Sequence, residues 1–560
     1  MGLTPADPDL GLPVPSDRLT FGRFVHDVAA RYGDGEALVF EDRRITYRQL
    51  EAEVRRFARA FLAAGLSKGT KVAILLANRP EFVVAAFGIG MAGGVVVPIS
   101  TFATPAERDH ILRHSDAALL VLQAGLRSHR YLDDLTAAHP EVVAAEPGGV
   151  RTSAFPFLRR VVTLGPGWDG FLAAGDEIDD GLLAAAEDQV VPSDDSIIVY
   201  TSGTTAEPKA VLHTHRSVSV HLWRWAKLMG LTTEDRVWSS FPLFWTAGFS
   251  MVLGGTLASG ACLVMEEAFD PGDALDLIER ERVTTIHCFE HVESQLADHP
   301  GIAERDLSAL RNVRPISPLR LVAKLPESGW DPRSGYGSSE TFTVVTALPV
   351  DAPMQLRQES HGLTLPGMHI RIVDPESGQP LPTGATGEIT VKGVTLMRGY
   401  YKVPPEECLD DEGWFHTQDA GYLDDQGYLH WTGRMSGLIK TAGANVSPIE
   451  VEFQVAQLGV FGVTSVVGVP HPSLGEVVVM CSVPLRAAQP DIPEVLGRLR
   501  QNLASYKIPK RVLLFSDAEL AFTSSDKLQL DQVRRLAAER IIATDDDEAW
   551  VAHLRARYGD

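Results

Sequence analysis

The sequence predicts an α/β protein: a large N-terminal domain of parallel sheets flanked by helices, a small antiparallel β-subdomain, and a smaller α+β domain at the C-terminal end. Helical patterns alternate with short apolar runs over most of the chain. Its 560 residues are too many for one compact core, so two or more domains are expected. After about residue 374, short strands and Gly/Pro/Asp turns replace the alternation.

The first part of the chain has the clearest βαβ pattern. A helical pattern over residues 47–64 precedes a strand-like run over residues 71–76. A second helix is predicted over residues 80–91, with proline at a favoured first position, and the run at residues 95–99 follows as a strand. This alternation is typical of parallel sheets covered by helices on both faces.

The later part of the chain predicts the domain boundary. The turn-rich segment at about residues 370–435 predicts the β-subdomain and completes a large domain over residues 1–435. Strand-like runs at residues 464–469 and 476–483 precede a helix at residues 492–503, which predicts a mixed α+β domain over residues 436–560. The boundary falls where small residues follow the dense turns.

Composition and charge exclude several classes of partner. The net charge of −22 comes without any Lys/Arg run that interleaves with aromatics, so no nucleic-acid partner is expected. Glycines break the long uncharged stretches at residues 82–100 and 241–265, which predicts a buried helix, a turn and a buried strand in each, and no integral membrane association. No secretion signal is visible. The scattered cysteines predict reduced thiols and a cytoplasmic location: Cys262, Cys288, Cys408 and Cys481.

The segment VYTSGTTAEPK at residues 199–209 is the most informative in the sequence. An apolar strand leads into a loop that is dense in hydroxyl groups, contains Gly203 and ends at Lys209. Freed backbone amides, hydroxyls and one cation suit a polyphosphate. The segment is not a Walker A loop. Composition alone would favour a polar turn rich in Ser and Thr.

This segment resembles the phosphate-binding signature TSGTTGxPKG of the acyl-adenylate-forming (AMP-binding) superfamily, which includes acyl-CoA synthetases, adenylation domains of nonribosomal peptide synthetases, and luciferases. Further motifs follow in the family's order, so the resemblance covers nearly the whole chain and is closest to acyl-CoA synthetases, the fatty-acid–CoA ligases. It implies an AMP-forming acid–thiol ligase that uses ATP and Mg²⁺ to convert a small-molecule carboxylic acid into acyl-AMP and then acyl-CoA.

Each of the further motifs resembles a family signature. GYGSSE (335–340) resembles YGxTE, and WFHTQD (414–419) resembles WFxTGD. GRMSGLIK (433–440) resembles GRxxDxIK, the hinge about which the small mobile domain turns. GANVSPIEVE (443–452) resembles GxNVxPxEVE, and TSSDK (523–527) occupies the place of TxxGK. PLFW (242–245) stands where many acyl-CoA ligases have PxFH.

The resemblance implies a role for each matching residue. The phosphates of ATP would be held by Lys209 with Thr201, Ser202, Gly203, Thr204 and Thr205. Mg²⁺ would be bound by Glu340 and Thr204. Adenine would stack on Tyr336 beside Gly337 and Ser338, and the ribose would be held by Asp419 and Arg434. The catalytic set is Lys527, Lys209 and Ser339. Gly443 would line the pantetheine tunnel, the acyl pocket would include Phe244, Trp245 and Gly248, and the hinge would be Ser436 and Gly437.

Several positions depart from the family pattern and keep two alternatives open. Alanines replace glycines at Ala206 and Ala210, Ser436 and Gly437 replace charged hinge residues, and Asp526 replaces a glycine beside Lys527. One alternative is an adenylating enzyme with a different acceptor: a carrier-protein thiol, an amine or another small nucleophile. The other is a degraded nucleotide-binding homologue, which the intact charged residues argue against. Neither the acid nor the oligomeric state is readable, and a homo-oligomer stays open.

Overall fold

A computed structural model describes the chain over residues 10–143, 149–201, 208–325, 328–331, 335–437, 439–441, 444–446, 448–485, 490–503, 507–516, 519 and 530–559. Clustering of contacts divides the chain into two compact units. The first comprises residues 1–370, 391–415 and 427–429, and the second comprises residues 371–390, 416–426 and 430–560. A domain boundary at residue 435 stays a prediction.

The strands of the described residues are, in chain order, β1 (Glu36–Phe40), β2 (Arg43–Thr46), β3 (Lys71–Leu75), β4 (Val95–Pro98), β5 (Leu119–Leu122), β6 (Arg160–Thr163), β7 (Asp195–Thr201), β8 (Lys209–Thr214), β9 (Arg236–Trp238), β10 (Cys262–Met265), β11 (Thr285–Ile286), β12 (Thr346–Ala347), β13 (Leu363–Thr364), β14 (Met368–Val373), β15 (Gly387–Gly393), β16 (Gly399–Tyr400), β17 (Phe415–Leu423), β18 (Leu429–Arg434), β19 (Ile439–Thr441), β20 (Ala444–Val446), β21 (Phe461–His471), β22 (Gly475–Pro484) and β23 (Arg511–Leu514).

The α-helices are α1 (Phe21–Tyr32), α2 (Tyr47–Ala63), α3 (Pro80–Met91), α4 (Pro105–His114), α5 (Tyr131–Ala138), α6 (Pro140–Val143), α7 (Pro166–Ala174), α8 (Asp180–Asp188), α9 (His215–Met229), α10 (Gly255–Ser259), α11 (Pro271–Arg280), α12 (Glu290–Ala297), α13 (Pro318–Val322), α14 (Met354–Glu359), α15 (Pro405–Cys408), α16 (Pro448–Ala456), α17 (Ile492–Asn502), α18 (Leu530–Thr544) and α19 (Glu548–Tyr558). A π-helix spans Ala247–Gly254, and short 3₁₀ turns span Ser16–Arg18, Gly175–Glu177, Ile302–Glu304, Ser339–Thr341 and Met435–Gly437.

Two sheets with parallel cores form the first unit, as the sequence predicts. The larger has seven strands in the order β16-β8-β7-β4-β3-β5-β6. Its strands β7, β4, β3, β5 and β6 pair in parallel, whereas β8 and β16 pair antiparallel at one side. The smaller has the order β11-β9-β10-β1-β2, and only β2, at its edge, pairs antiparallel. The predicted fold class is confirmed.

Helix α3 packs on strands β3 and β4 of the larger sheet, and α2 packs on α3 and on β1 and β2 of the smaller sheet; both show how local sequence sets the fold. Thr46 and Gln49 form a capping box at the start of α2, and Pro80 opens α3 at a position where its missing N–H costs nothing. Gly88 allows α3 to approach α2, since a Cβ there would lie 2.8 Å from Cδ1 of Phe57. The close approach explains why α3 is buried on every side.

The remaining elements agree with the sequence pattern. Residues 370–435 contribute a four-stranded sheet in the order β14-β15-β17-β18. In the second unit, β20, β19, β22 and β21 form a sheet in that order, β23 pairs with β22, and α18 and α19 pack on it around buried Trp550. Both uncharged stretches are buried helix–strand segments, and each described helix is too short or too polar to cross a membrane.

Candidate active site

The predicted phosphate segment joins two neighbouring strands of the larger sheet. β7 ends at Thr201, and β8 begins at Lys209, directly opposite Thr201 in the antiparallel register. Lys209 is exposed, and its Nζ lies 4.9 Å from the ring centroid of Tyr400 on β16. Ser202, Gly203, Thr204, Thr205 and Ala206 lie outside the described residues. The structure therefore brings together the two ends of the predicted loop.

The predicted adenine and α-phosphate residues form a tight turn, residues 335–343, which we call the Ser339 turn. Gly337 is required there, because a Cβ would lie 1.7 Å from the carbonyl oxygen of Thr343. The backbone N–H of Ser338 donates to Oγ1 of Thr341 over 3.0 Å. The turn closes at Phe342, which is fully buried and has a φ of +63°, a conformation that side chains larger than glycine rarely adopt.

Buried side chains of β8 and α9 hold this turn from behind. Nε2 of His213 lies 2.7 Å from the carbonyl oxygen of Ser339, and Nε2 of His221 lies 3.0 Å from that of Thr341. Since a carbonyl only accepts, both imidazoles must carry their proton on Nε2. Burial lowers the pKa of His213 to about 4 and that of His221 well below its usual range, so both rings are neutral donors.

The sequence did not single out these histidines. One signal was available: His213 follows Lys209 by four residues in a strand, so the two side chains lie on the same face of β8. The ring of Phe342 lies between the imidazoles, with centroids 5.0 Å from that of His213 and 6.3 Å from that of His221. Packing of the rings compensates for the unfavourable φ of Phe342.

Glu340 connects the Ser339 turn to the phosphate segment. Its Oε1 accepts a hydrogen bond of 2.8 Å from the hydroxyl of Tyr400, the residue whose ring lies under Lys209. Its carbonyl accepts from the backbone N–H of Met397 over 2.7 Å. No group of three potential metal ligands occurs among the described residues. A single carboxylate still fits Mg²⁺, because that ion usually takes one or two carboxylates together with substrate phosphates.

The predicted ribose residues lie together in the second unit. Asp419 on β17 is buried, and its Oδ1 lies 3.1 Å from Nε of Arg434 on β18. Arg434 also donates through Nη1 to the carbonyl of Thr417 over 2.8 Å. Gln418, where the family has glycine, has a φ of +60°, which explains the family preference. Its backbone N–H and side-chain amide both donate to Oε1 of Glu388, which stabilises the conformation.

Phe244 and Trp245 of the predicted acyl pocket belong to a cluster of aromatic rings. The centroids of Phe244 and Trp245 are 5.9 Å apart, and Trp245 lies 6.0 Å from Phe289. Phe244 also lines a cavity of about 320 Å³. Gly248 belongs to the π-helix, where a Cβ would lie 1.9 Å from the carbonyl oxygen of Pro242. A glycine is thus needed at this position so that the π-helix can pack closely against the segment that precedes it.

The hinge and C-terminal motifs are described only in part. Ser436 and Gly437 lie in the 3₁₀ turn Met435–Gly437, which connects β18 to β19. Gly443, Asp526 and Lys527 lie outside the described residues. Their predicted roles in the pantetheine tunnel and in catalysis, like the roles of the other site residues, stay predictions.

Comparison with known proteins assigns the chain to a protein family. The family described as AMP-binding enzyme matches residues 25–401. The chain belongs to the AMP-binding enzyme family. Feruloyl-CoA synthase of an Amycolatopsis species is 33% identical over 519 residues, which cover 91% of this chain and 96% of that protein. Indoleacetate–CoA ligase of Aromatoleum aromaticum is 30% identical over 510 residues, covering 90% and 95%.

Solved structures of AMP-binding enzymes share the fold. ATP-bound MatB from Rhodopseudomonas palustris has a TM-score of 0.74 at 26% identity, covering 92% of this chain and 99% of that one. The amide bond synthetase McbA from Marinactinospora thermotolerans has a TM-score of 0.73 at 28% identity, covering 93% and 99%. With relatives that are acyl-CoA synthetases and ligases, this AMP-binding enzyme is an AMP-forming ligase of the acid–thiol class.

Proposed function

We propose that this enzyme activates a carboxylic acid with ATP to acyl-AMP and pyrophosphate, and then transfers the acyl group to CoA, releasing AMP. The observation that carries the proposal is the link from Lys209 through Tyr400 to Glu340, beside Ser339 on its braced turn. A cation and a hydroxyl can bind the phosphates of ATP directly, and a carboxylate can hold the Mg²⁺ that accompanies them.

In the first step, an oxygen of the substrate carboxylate attacks the α-phosphorus of ATP in line with the departing pyrophosphate. The protein contributes positioning and charge neutralisation. Ser339 contacts the α-phosphate and Lys209 the β- and γ-phosphates, while Tyr336, Asp419 and Arg434 hold the nucleoside. Glu340 and Thr204 would hold Mg²⁺, which would neutralise phosphate charge when bound. Lys527 stabilises the charge that develops between the carboxylate and the α-phosphate.

In the second step, the C-terminal domain turns about Ser436 and Gly437, and the thiol of CoA attacks the mixed anhydride. The new thioester bond replaces the acyl–phosphate bond, and AMP leaves. CoA is favoured over other acceptors because the segment at residues 443–452 retains most of the tunnel motif, with Gly443. We take the acid to be apolar or aromatic, in keeping with the rings around Phe244 and Trp245.

The second candidate is an adenylating enzyme with an amine acceptor. Its support is the shared fold with McbA, an amide bond synthetase. Against it stands the tunnel motif. We place the enzyme in the cytoplasm, since its four cysteines are buried and free, as expected in a reducing compartment.

Pyrophosphate release over a panel of carboxylic acids, with and without CoA, tests the function. With the best acid we expect CoA consumption to match AMP production one for one. Readily formed acyl-AMP with an AMP rate and product that ignore CoA would require another acceptor, which amines and carrier proteins would then identify. A folded protein that binds ATP yet releases no pyrophosphate with any acid would indicate a degraded homologue.

Lys527→Ala separates the two steps. We expect it to abolish acyl-adenylate formation and to leave CoA transfer from supplied acyl-AMP largely intact, because the lysine acts only in the adenylation conformation. Each half-reaction is measured on the same preparation. Equal loss of both would mean that the substitution damages folding.

A further inference from the structure

The strand pair β7–β8 presents the two ends of the predicted phosphate segment on one face and an aromatic side chain on the other. Thr201 and Lys209 lie opposite each other in the last residue pair, and Tyr200 and Ala210 form the pair before it. Successive side chains of a strand point to opposite faces. The side chain of Tyr200 therefore lies behind Thr201 and Lys209, where it packs against the buried cluster that contains Ala210.

The last residue pair of β7–β8 extends beyond the neighbouring strands. Among the described residues, β4 pairs with β7 only at Ile197, four residues before Thr201. On the other side, the register of β16 with β8 ends at Val211, two residues after Lys209. Within the described part of the chain, no further strand flanks the pair of Thr201 and Lys209. The placement of this pair must therefore depend on side chains as well as on the sheet.

The side chain of Tyr200 connects this end of the strand pair to helix α4. Its hydroxyl lies 2.9 Å from Nδ1 of His114 in the last turn of the helix, and Ser115, the C-cap residue, provides a second side-chain contact. Burial raises the pKa of Tyr200, so the phenol keeps its proton and donates to the imidazole nitrogen. The ring lies edge-on to those of His110 and His114, with centroid distances of 6.4 and 5.8 Å.

Helix α4 is a firm support for this contact. Thr104 and Glu107 form a capping box at its first turn. Ile111 and Leu112 are buried in the same cluster against which Tyr200 packs. A helix that is capped and packed in this way fixes the position of the tyrosine hydroxyl, and the covalent chain passes that position to the next residue, Thr201.

We infer that Tyr200 and His114 are positioning residues, which hold Thr201 and Lys209 where these meet the β- and γ-phosphates of ATP. The inference rests on the proposed function and adds to it a histidine that lies far outside the sequence motifs. The side chain of Tyr200 acts from behind the site and touches no phosphate. The nucleoside is held by other segments under the proposed function, so loss of this support should weaken binding of ATP and spare binding of AMP.

Isothermal titration with Mg·ATP and with AMP tests the inference without turnover. The ratio of the two dissociation constants measures what the β- and γ-phosphates contribute to binding. Tyr200→Phe keeps the ring and removes the hydroxyl. We expect this variant to bind ATP about 3- to 10-fold more weakly, the factor that corresponds to one lost hydrogen bond, and to bind AMP as the natural protein does.

Variants of His114 separate the hydrogen bond from simple packing. His114→Leu removes the acceptor and leaves the contact with Ser115, so we expect a smaller loss of ATP binding than in Tyr200→Phe. His114→Asn carries a carbonyl oxygen at the side-chain position of Nδ1 and should recover most of the affinity. A histidine that only fills space would be replaced better by leucine than by asparagine.

Tyr401→Phe is the matched control for Tyr200→Phe. Tyr401 packs against the same cluster, and its hydroxyl donates to Asp116 over 2.8 Å. Its backbone N–H, which donates to the carbonyl of Ala210 over 2.8 Å, is retained in the variant. The control removes the same atom from the same cluster without releasing β7, so the ratio for ATP and AMP should not change.

The outcomes separate the inference from the function beneath it. A folded natural protein that binds no ATP would remove the proposed function and the inference with it. ATP binding that Tyr200→Phe and His114→Leu leave unchanged would overturn the inference alone. So would an equal loss in Tyr200→Phe and Tyr401→Phe, or an equal loss of ATP and AMP binding, because general packing of the cluster would then explain the effect.

Discussion

The Ser339 turn and the cavity of about 320 Å³ that Phe244 lines differ in how their polar groups are paired. In the turn, the carbonyls of Ser339, Glu340 and Thr341 each accept a hydrogen bond from a donor elsewhere in the first unit. In the cavity lining, Oγ of Ser240 has no hydrogen-bond partner among the described residues, and burial outweighs the hydrogen bond between Trp238 and the Glu266 carboxyl, so the pKa of that carboxyl is raised to about 8. Under the proposed function, this difference corresponds to a constant and a variable ligand, because the turn would contact ATP in every turnover and the rings around Phe244 would contact the acid.

The largest effect on catalysis should come from removing His213, the hydrogen-bond donor to the carbonyl of Ser339. His213→Leu leaves the Ser339 carbonyl buried without its partner and lets the turn shift. We expect kcat for adenylation to fall roughly 10- to 100-fold, because misplacement by about 1 Å costs on that order, while KM for the acid changes little. His213→Gln retains an N–H donor and should recover most of the rate. ATP–pyrophosphate exchange at saturating ATP measures both.

The control for His213 is His215, which is also fully buried near the start of α9. Its Nδ1 accepts instead from the backbone N–H of Phe21 over 3.3 Å. His215→Gln should lower the melting temperature and leave kcat per folded molecule unchanged. If His213→Leu behaves in the same way, the histidine serves only to stabilise the core.

A smaller effect is expected from the link between Lys209 and Glu340. Tyr400→Phe keeps the ring under Lys209 and removes the hydroxyl that orients the Glu340 carboxylate. The loss of one hydrogen bond to a carboxylate, about 1 kcal/mol, should raise the Mg²⁺ concentration for half-maximal ATP binding by about 2- to 5-fold. Isothermal titration with ATP at several Mg²⁺ concentrations measures the shift without turnover.

The neighbouring tyrosine provides a matched control. The hydroxyl of Tyr401 donates to Asp116 over 2.8 Å, away from Glu340. Tyr401→Phe removes the same atom from the next position and should leave the Mg²⁺ dependence unchanged. An equal shift in both variants would mean that general loosening of this strand, and not the orientation of Glu340, sets the dependence.

Parts of the fold with local causes could be predicted from the sequence. The predicted helix at residues 80–91 is observed as α3 (Pro80–Met91), and the helix predicted at residues 47–64 ends one residue earlier, at Ala63. Both begin at signals that neighbouring residues supply, the capping box of Thr46 and the proline at residue 80. The site motifs could be recognised for the same reason, because each is a short contiguous segment.

The supporting residues could not be predicted, because their causes are distant in sequence. His213 contacts Ser339 across 126 positions, and His221 contacts Thr341 across 120. In the sequence both lie in a short segment with His215 and many apolar residues, for which a buried structural role is the simplest interpretation. Likewise Ser240 and Glu266 follow different strands and share a cavity only because β9 and β10 pair in parallel. Only tertiary structure brings such residues together.

The smallest effect on activity should come from the burial of Glu266, because its cost concerns the stability of the fold. Its pKa in the folded protein, about 8, exceeds its ordinary value of 4.5. The folded state therefore holds the proton more tightly than the unfolded state, and stability falls as the pH rises from about 4.5 to about 8. Glu266→Gln removes this penalty, so its advantage over the natural protein should be absent near the lower pH and grow to about 4 kcal/mol at the higher one, at about 1.36 kcal/mol for each unit of pKa.

Melting temperatures across this pH range provide the measurement, and Glu267→Gln provides a comparison of opposite sign. Glu267 is paired with Arg79, so its replacement removes the negative charge opposite that guanidinium and should lower the melting temperature at neutral pH. A Glu266→Gln variant that gains nothing at alkaline pH would show that the hydrogen bond with Trp238 compensates fully for the burial of the carboxyl. The contrast with the Ser339 turn would then fail at this residue, because its carboxyl would be as well paired as the carbonyls of the turn.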